Sequence, residues 1–330
     1  MRLIRTDNLT LEEFPGDYSG PYAILSHTWE DGEISYHEMQ AASPASRWQG
    51  AAIKKKPGYQ KICNFARVAA ADGFEYMWVD TCCIDKSSSA ELSESINSMF
   101  RWYSKATRCY VYLADVPPGP LKDLHDALEN RVLKPHARSR WYTRGWTLQE
   151  LIAPKDLVFY YSDWSPAFKK ATELKLLSKI TGIPRSVLET GDCSSISVAD
   201  KMRWAADRTT TRIEDMAYCL LGIFDVNMPL LYGEAEKAFL RLQEEICRTS
   251  DDQTIFAWQH GTLSSSEQPI QTIKTAAEGQ SFRTYRGLFA RSPQEFVITL
   301  NETLAPFEHP TFIPPFGSTS IGFNAQLSLI

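Results

Sequence analysis

Polar and aromatic side chains gather directly after the short apolar runs in the first half of this 330-residue sequence. YAILS, residues 22–26, closes on Ser26 and leads into His27, Thr28, Trp29, Glu30 and Asp31. YMWVD, residues 76–80, ends on Asp80, with Thr81 and Asp85 following, and CYVYL, residues 109–113, leads to Asp115. Further on, SRWYTRGWTLQELIAP brings Arg144, Trp146 and Glu150 together. A carboxylate beside aromatic walls can stabilise a cationic transition state and keep water out. An arginine beside it can hold a phosphate or a carboxylate. Ser26 and His27 are a poor nucleophile–base pair, because adjacent strand residues point to opposite faces. Each residue also has a structural reading. Thr147-x-x-Glu150 spells a capping box, Asp80 and Asp85 suit loop caps, and the tryptophans, Trp29, Trp78, Trp102, Trp141 and Trp146 among them, suit a core as well as a cleft.

Other chemistries are excluded or disfavoured. The six histidines show no metal-ligand spacing with each other or with cysteine, so no metal site is expected. Neither G-x-x-x-x-G-K-[ST] nor G-x-G-x-x-G occurs, so no phosphate loop can be read. A net charge of −5 argues against nucleic-acid or anionic-membrane partners held by charge. The start, MRLIRTDNLTLEEF, has no signal-peptide core, and the longest apolar stretch, near 217–224, is too short for a span. Seven cysteines without a C-x-x-C pair, Cys82 and Cys83 being adjacent, read as buried thiols in a reducing, cytoplasmic compartment.

Elements must position these groups. Runs at 22–26, 76–80, 109–113 and 157–161 are short and apolar throughout, as strands covered on both faces are, and helical patterns separate them. They predict parallel neighbours in one sheet with the first strand central. Helices are expected at 58–72, ending at Gly73, behind the Ser88-x-x-Glu91 box, over about 121–132, and from Thr147 to Pro154, while 81–89 reads as a polar loop. From about residue 165 the pattern turns mostly helical: 168–180, 198–206 behind Ser197, a helix capped by Thr211-x-x-Glu214, and 234–248. TIFAW, 254–258, reads as a strand, 261–281 as a polar loop, and 295–300 and 319–329 as β. In such a sheet ligands bind outside the carboxyl ends of the strands, so Ser26–Asp31, Asp80–Asp85 and Trp146–Glu150 are expected around one cleft.

The blocks YAILSHTWEDGEISY, YMWVDTCCIDKSSSAELSESINSMFRWYSKATRCYVYLADV and SRWYTRGWTLQELIAP resemble those of the fungal heterokaryon-incompatibility (HET) domain. RTTTRIEDMAYCLLGIFDVNMPLLYGEAEKAFLRLQEEI and DQTIFAW resemble the segment that follows it in many such proteins, so the likeness covers about residues 20–260. Leu25–Asp31, Arg144–Leu151 and Leu157–Tyr161 are remotely similar to TIR domains, though Thr147 stands where a Cys is common and Thr28-Trp29 where an Arg-Gly pair is. These resemblances imply a TIR-like, flavodoxin-type α/β domain over 1–164, a helical extension over 165–260 and a β-containing segment over 261–330. They imply an effector of self/non-self recognition and regulated cell death that hydrolyses NAD and needs no further cofactor. Glu150 would be the catalytic carboxylate, with Ser26, His27, Trp29, Asp31, Asp80, Asp85, Arg144 and Trp146 around the dinucleotide. They also imply self-association, in part through loop 81–89, and an upstream receptor protein. The rival is a non-catalytic oligomerising adaptor.

Overall fold

The computed structural model describes residues 1–42, 50–119, 139–259 and 288–297, together with the backbone of 317–319 and 322–324. Among these, one seven-stranded, mostly parallel sheet carries the molecule. Its strands are β1 (Arg2–Arg5), β2 (Leu11–Glu13), β3 (Tyr22–His27), β4 (Tyr76–Trp78), β5 (Arg108–Tyr112), β6 (Leu157–Tyr160) and β7 (Pro166–Lys169), in the order β2-β1-β4-β3-β5-β6-β7. The four expected strands are parallel neighbours and β3 is central. All six residues of β3 are buried, as befits a strand covered on both faces.

Three strands were not expected. β1 pairs antiparallel with β4, β2 with β1, and β7 antiparallel with β6. β7 begins at Pro166, so the sheet runs past residue 164 and takes the first residues of the expected 168–180 helix. That helix is reduced to Leu174–Thr181.

Alternation along β3 sorts the covering helices. α1 (Tyr36–Ala41), α2 (Gly50–Ile53) and α3 (Pro57–Ala71) follow β3. Lys61 of α3 meets His27, and Phe65 packs edge-on against Tyr110, the β5 partner of Leu25. The opposite face carries Ile24, Ser26 and Trp78. Here α5 (Ser89–Lys105) sets Trp102 and Tyr103 against Trp78, and the Tyr103 hydroxyl donates to the Leu25 carbonyl. Loop 81–89 is a loop only in its second part. Asp80–Cys83 form a helical turn, α4, whose Thr81, Cys82 and Cys83 are buried.

α6 (Thr147–Ile152) lies against α5 and β3, and all six of its residues are buried. The extension follows as α7 (Leu174–Thr181), α8 (Arg185–Thr190), α9 (Val198–Ala205), α10 (Asp215–Tyr218), α11 (Leu221–Phe224) and α12 (Lys237–Thr249). Ser197 caps α9 as expected, its hydroxyl accepting from the Asp200 amide. Thr211 does not cap α10; Glu214 stands at its N-cap position, but its carboxylate accepts from the Gly233 and Ala235 amides instead. TIFAW is not a strand but a 3₁₀ turn, Gln253–Phe256, because Asp252 accepts from the Thr254 amide. Residues 295 and 296, where the β structure expected over 295–300 would begin, belong to a 3₁₀ turn, Pro293–Phe296, and 298–300 lie outside the described residues. The 121–132 helix, the 261–281 loop and most of 319–329 lie outside the described residues.

Sheet and extension share one continuous apolar core, Leu3, Ile24 and Trp78 joining Ala217, Leu242 and Ile246. Among the described residues no helix is long and apolar enough to cross a membrane. α11 docks on α5 through Gly222, where a Cβ would stand 2.1 Å from the Phe100 Cβ. Gly222→Ala is therefore expected to destabilise the protein by about 1–3 kcal/mol through overpacking, read as a lowered midpoint in urea.

Candidate active site

The strand order places a topological switch at β3. The chain leaves β3 for β4 on one side, then crosses to β5 on the other. Side chains at the carboxyl end of β3 thus open into a crevice that no crossover covers. A cavity of about 280 Å³ lies there, at the lower end of volumes that hold small ligands.

Glu150 forms its floor. The sequence reads as a capping box, but Trp146 is the α6 N-cap, and the Thr147 hydroxyl donates to the carbonyls of Trp141 and Arg144. Glu150 is therefore free to point at the sheet. Its Oε2 accepts from Ser26 Oγ at 2.5 Å, and Ser26 Oγ accepts from Trp141 Nε1 at 2.8 Å. No cation forms an ion pair with this carboxyl among the described residues. Burial, reinforced by the charge of Asp80, pushes it up to about 8, although Ser26, Tyr103 and Arg144 act the other way. At neutral pH the resting side chain is mostly protonated.

Asp80 is the opposite case. His27 Nε2 lies 3.0 Å from its Oδ1, Trp29 Nε1 donates to its Oδ2 at 2.8 Å, and Lys86 Nζ sits 3.8 Å away. Burial alone would raise this carboxyl, but Lys86, His27 and Trp29 hold it well below the usual carboxylate range. Lys61 Nζ lies 2.8 Å from His27 Nδ1 and also pairs with Glu33. An ammonium only donates, so Nδ1 must accept, and the ring proton sits on Nε2, facing Asp80. Lys86 caps the Trp29 ring at 3.7 Å from its centroid.

The facing wall comes from the extension. Thr211, Arg212, Asp215 and Tyr232 line the same cavity as Glu150. A backbone seam holds them there: Thr209 N donates to Thr143 O and Gly145 N to Thr209 O. Buried Arg208 reinforces it, donating to the Arg144 carbonyl at 2.8 Å and to Thr147 Oγ1 at 2.9 Å. The Tyr232 hydroxyl donates to Asp215 Oδ1 at 3.0 Å. Burial raises Asp215, offset in part by Tyr232, Trp146, Arg212 and Arg144.

His27, Trp29, Asp80, Arg144, Trp146 and Glu150 thus surround one cavity, with Ser26 holding Glu150 from the sheet. Asp31 and Asp85, expected here, lie elsewhere. The chain turns away at Gly32, with φ of 82°, and Asp31 lines a separate polar recess with Glu33 and Lys61. Asp85 is spent on its own turn, accepting from the Ser87 amide and hydroxyl. Lys86, Thr211, Arg212, Asp215 and Tyr232 were not foreseen. The charged run RTTTRIED in an otherwise apolar region was the available signal.

Residues 22–125, from β3 past β5, match the family model described as heterokaryon incompatibility protein (HET). Vegetative incompatibility protein HET-E-1 of Podospora anserina is 45% identical over 254 residues, 74% of this chain and 18% of that protein. The chain carries a heterokaryon-incompatibility (HET) domain. It spans less than a fifth of the length of this relative. Residues 237–327 match a domain of unknown function (DUF8212), and no solved structure matches significantly. The HET match contains Ser26, His27, Trp29, Asp80 and Lys86, whereas Glu150 and the Thr211–Tyr232 wall follow it in the chain.

The buried acid of this HET protein has a measurable signature. Glu150 keeps its proton when folded and loses it on unfolding, between its ordinary value near 4.5 and about 8. Unfolding then releases a proton, so this group's contribution falls as pH rises through that window and is flat above it. Glu150→Gln removes the effect while still accepting from Ser26. The variant is expected to gain on the parent from pH 5 to pH 9, reaching a few kcal/mol, as measured by urea unfolding across pH.

Proposed function

We propose that this chain is an effector of heterokaryon incompatibility and regulated cell death that hydrolyses NAD to nicotinamide and ADP-ribose in the cytoplasm, through a TIR-like site centred on Glu150. The observation that carries the reading is a buried carboxyl on the floor of a cavity with indole walls at Trp29 and Trp146. In the reaction the bond between C1′ of the ribose and the nicotinamide nitrogen breaks. Both electrons leave with nicotinamide, which departs neutral and needs no general acid. Water then adds to C1′ and gives up a proton. One carboxylate suffices to stabilise the oxocarbenium-like transition state. The cationic ring of the substrate favours ionised Glu150, so binding itself converts the resting acid into its working form. Self-association and an upstream receptor would supply the trigger, and the relative's far greater length is consistent with regulation from outside this segment.

Nicotinamide release from NAD, followed with and without a crowding agent, tests this. For the parent, kcat/KM is expected to rise about tenfold per pH unit below about 8 and level off above it, with the kcat inflection at lower pH. Glu150→Gln should lower kcat on the order of a hundredfold or more. A parent that releases no nicotinamide even when assembled leaves the adaptor reading in its place.

A further inference from the structure

Three cations line the cavity: Lys86, Arg144 and Arg212. Lys86 is committed, to Asp80 and to the Trp29 ring. The two arginines are not. Among the described residues neither forms an ion pair with a carboxylate. Arg144 Nη1 donates to Thr211 Oγ1 at 2.8 Å, and the Arg212 guanidinium stacks on the Tyr232 ring at 4.3 Å. Stacking engages the face of a guanidinium and leaves its N–H edge to donate. Both are held in place from behind. The Arg144 carbonyl is anchored by Arg208, and the Tyr232 ring by its bond to Asp215 and by edge contact with Tyr218. The carboxyls that line the cavity with them have other partners: Asp80 has His27 and Trp29 within hydrogen-bond distance and pairs with Lys86, Asp215 accepts from Tyr232 and Glu150 from Ser26.

We propose that Arg144 and Arg212 form a two-armed anion clamp, one arm from the α/β part and one from the extension, that holds the diphosphate of a dinucleotide. The proposal rests on the hydrolase reading and gives that site its substrate class. Forked donors match phosphate oxygens two at a time. The clamp makes a pyrophosphate-bearing substrate preferred over the bare nucleoside, with the nicotinamide end directed toward Glu150.

Binding tests this apart from turnover. The probes are ADP-ribose, inorganic pyrophosphate and nicotinamide riboside, titrated calorimetrically into the full chain, with thermal melts confirming that each variant is folded. Arg212→Gln and Arg144→Gln are each expected to weaken ADP-ribose and pyrophosphate at least tenfold and to flatten the salt dependence. Nicotinamide riboside, which lacks the diphosphate, should lose far less. The clamp is overturned if the parent binds neither ADP-ribose nor pyrophosphate, if the variants bind them like the parent, or if all three probes weaken equally. Arg212-dependent binding of ADP-ribose in a protein that releases no nicotinamide keeps the clamp and removes the hydrolase. Nicotinamide release with an unchanged KM in Arg212→Gln does the reverse.

Discussion

Glu150 is buried where hydroxyls, those of Ser26 and Tyr103, reach it and no ion-paired cation does among the described residues, and much of the site is arranged around that fact. Ser26 donates to it and is itself held by Trp141, so the carboxyl ties α6 to the end of the central strand. Asp80, in the same cavity, has an imidazole, an indole and an ammonium around it. Of the three carboxyls that line the cavity, Glu150 and Asp80 are therefore pushed in opposite directions, one toward its protonated form and one toward its ionised form. Environments that split like groups in this way are the usual basis for dividing labour between them.

The fold produces this split through strand alternation at the switch point. Ser26 and His27 are neighbours on β3, yet they serve opposite faces. Ser26 turns to the helices that bring Glu150, while His27 turns to Lys61 of α3 and reaches Asp80 over the strand ends. Lys61 sets the histidine's tautomer, so the Asp80 cluster is oriented from beneath by a residue outside the cavity. The same pairing that made Ser26–His27 implausible as a nucleophile dyad makes it useful as a divider.

The central strands were legible because YAILS, YMWVD, CYVYL and LVFYY are continuous apolar runs. β1, β2 and β7 were not, since Arg2 and Arg5 flank only two buried residues, and LEE and PAFK carry almost no pattern. TIFAW has strand composition, but Asp252 bends it into a 3₁₀ turn. Much of the cavity was legible from the rule that ligands gather beyond strand ends, and that rule placed His27, Trp29 and Asp80. It placed Asp31 and Asp85 as well, and there it failed, because a turn at Gly32 and a local Asp85–Ser87 bond are decided by only a few residues. The Thr147-x-x-Glu150 spacing is a capping box in letters only. Two backbone carbonyls compete for the threonine hydroxyl and win it. The Thr211–Tyr232 wall begins 59 residues beyond Ile152, the end of α6, and the seam is what shows that it faces the sheet.

That seam, Thr143 and Gly145 bridged to Thr209 and braced by Arg208, makes the cavity a property of docking rather than of either part alone. A molecule touching both walls acts as a thermodynamic cross-link. Its binding energy adds to whatever holds the extension against the sheet, and it is lost with the first opening of the joint. Occupancy and docking are then one linked equilibrium. A force that pries the extension from the sheet therefore works against binding, and a bound molecule works against the opening.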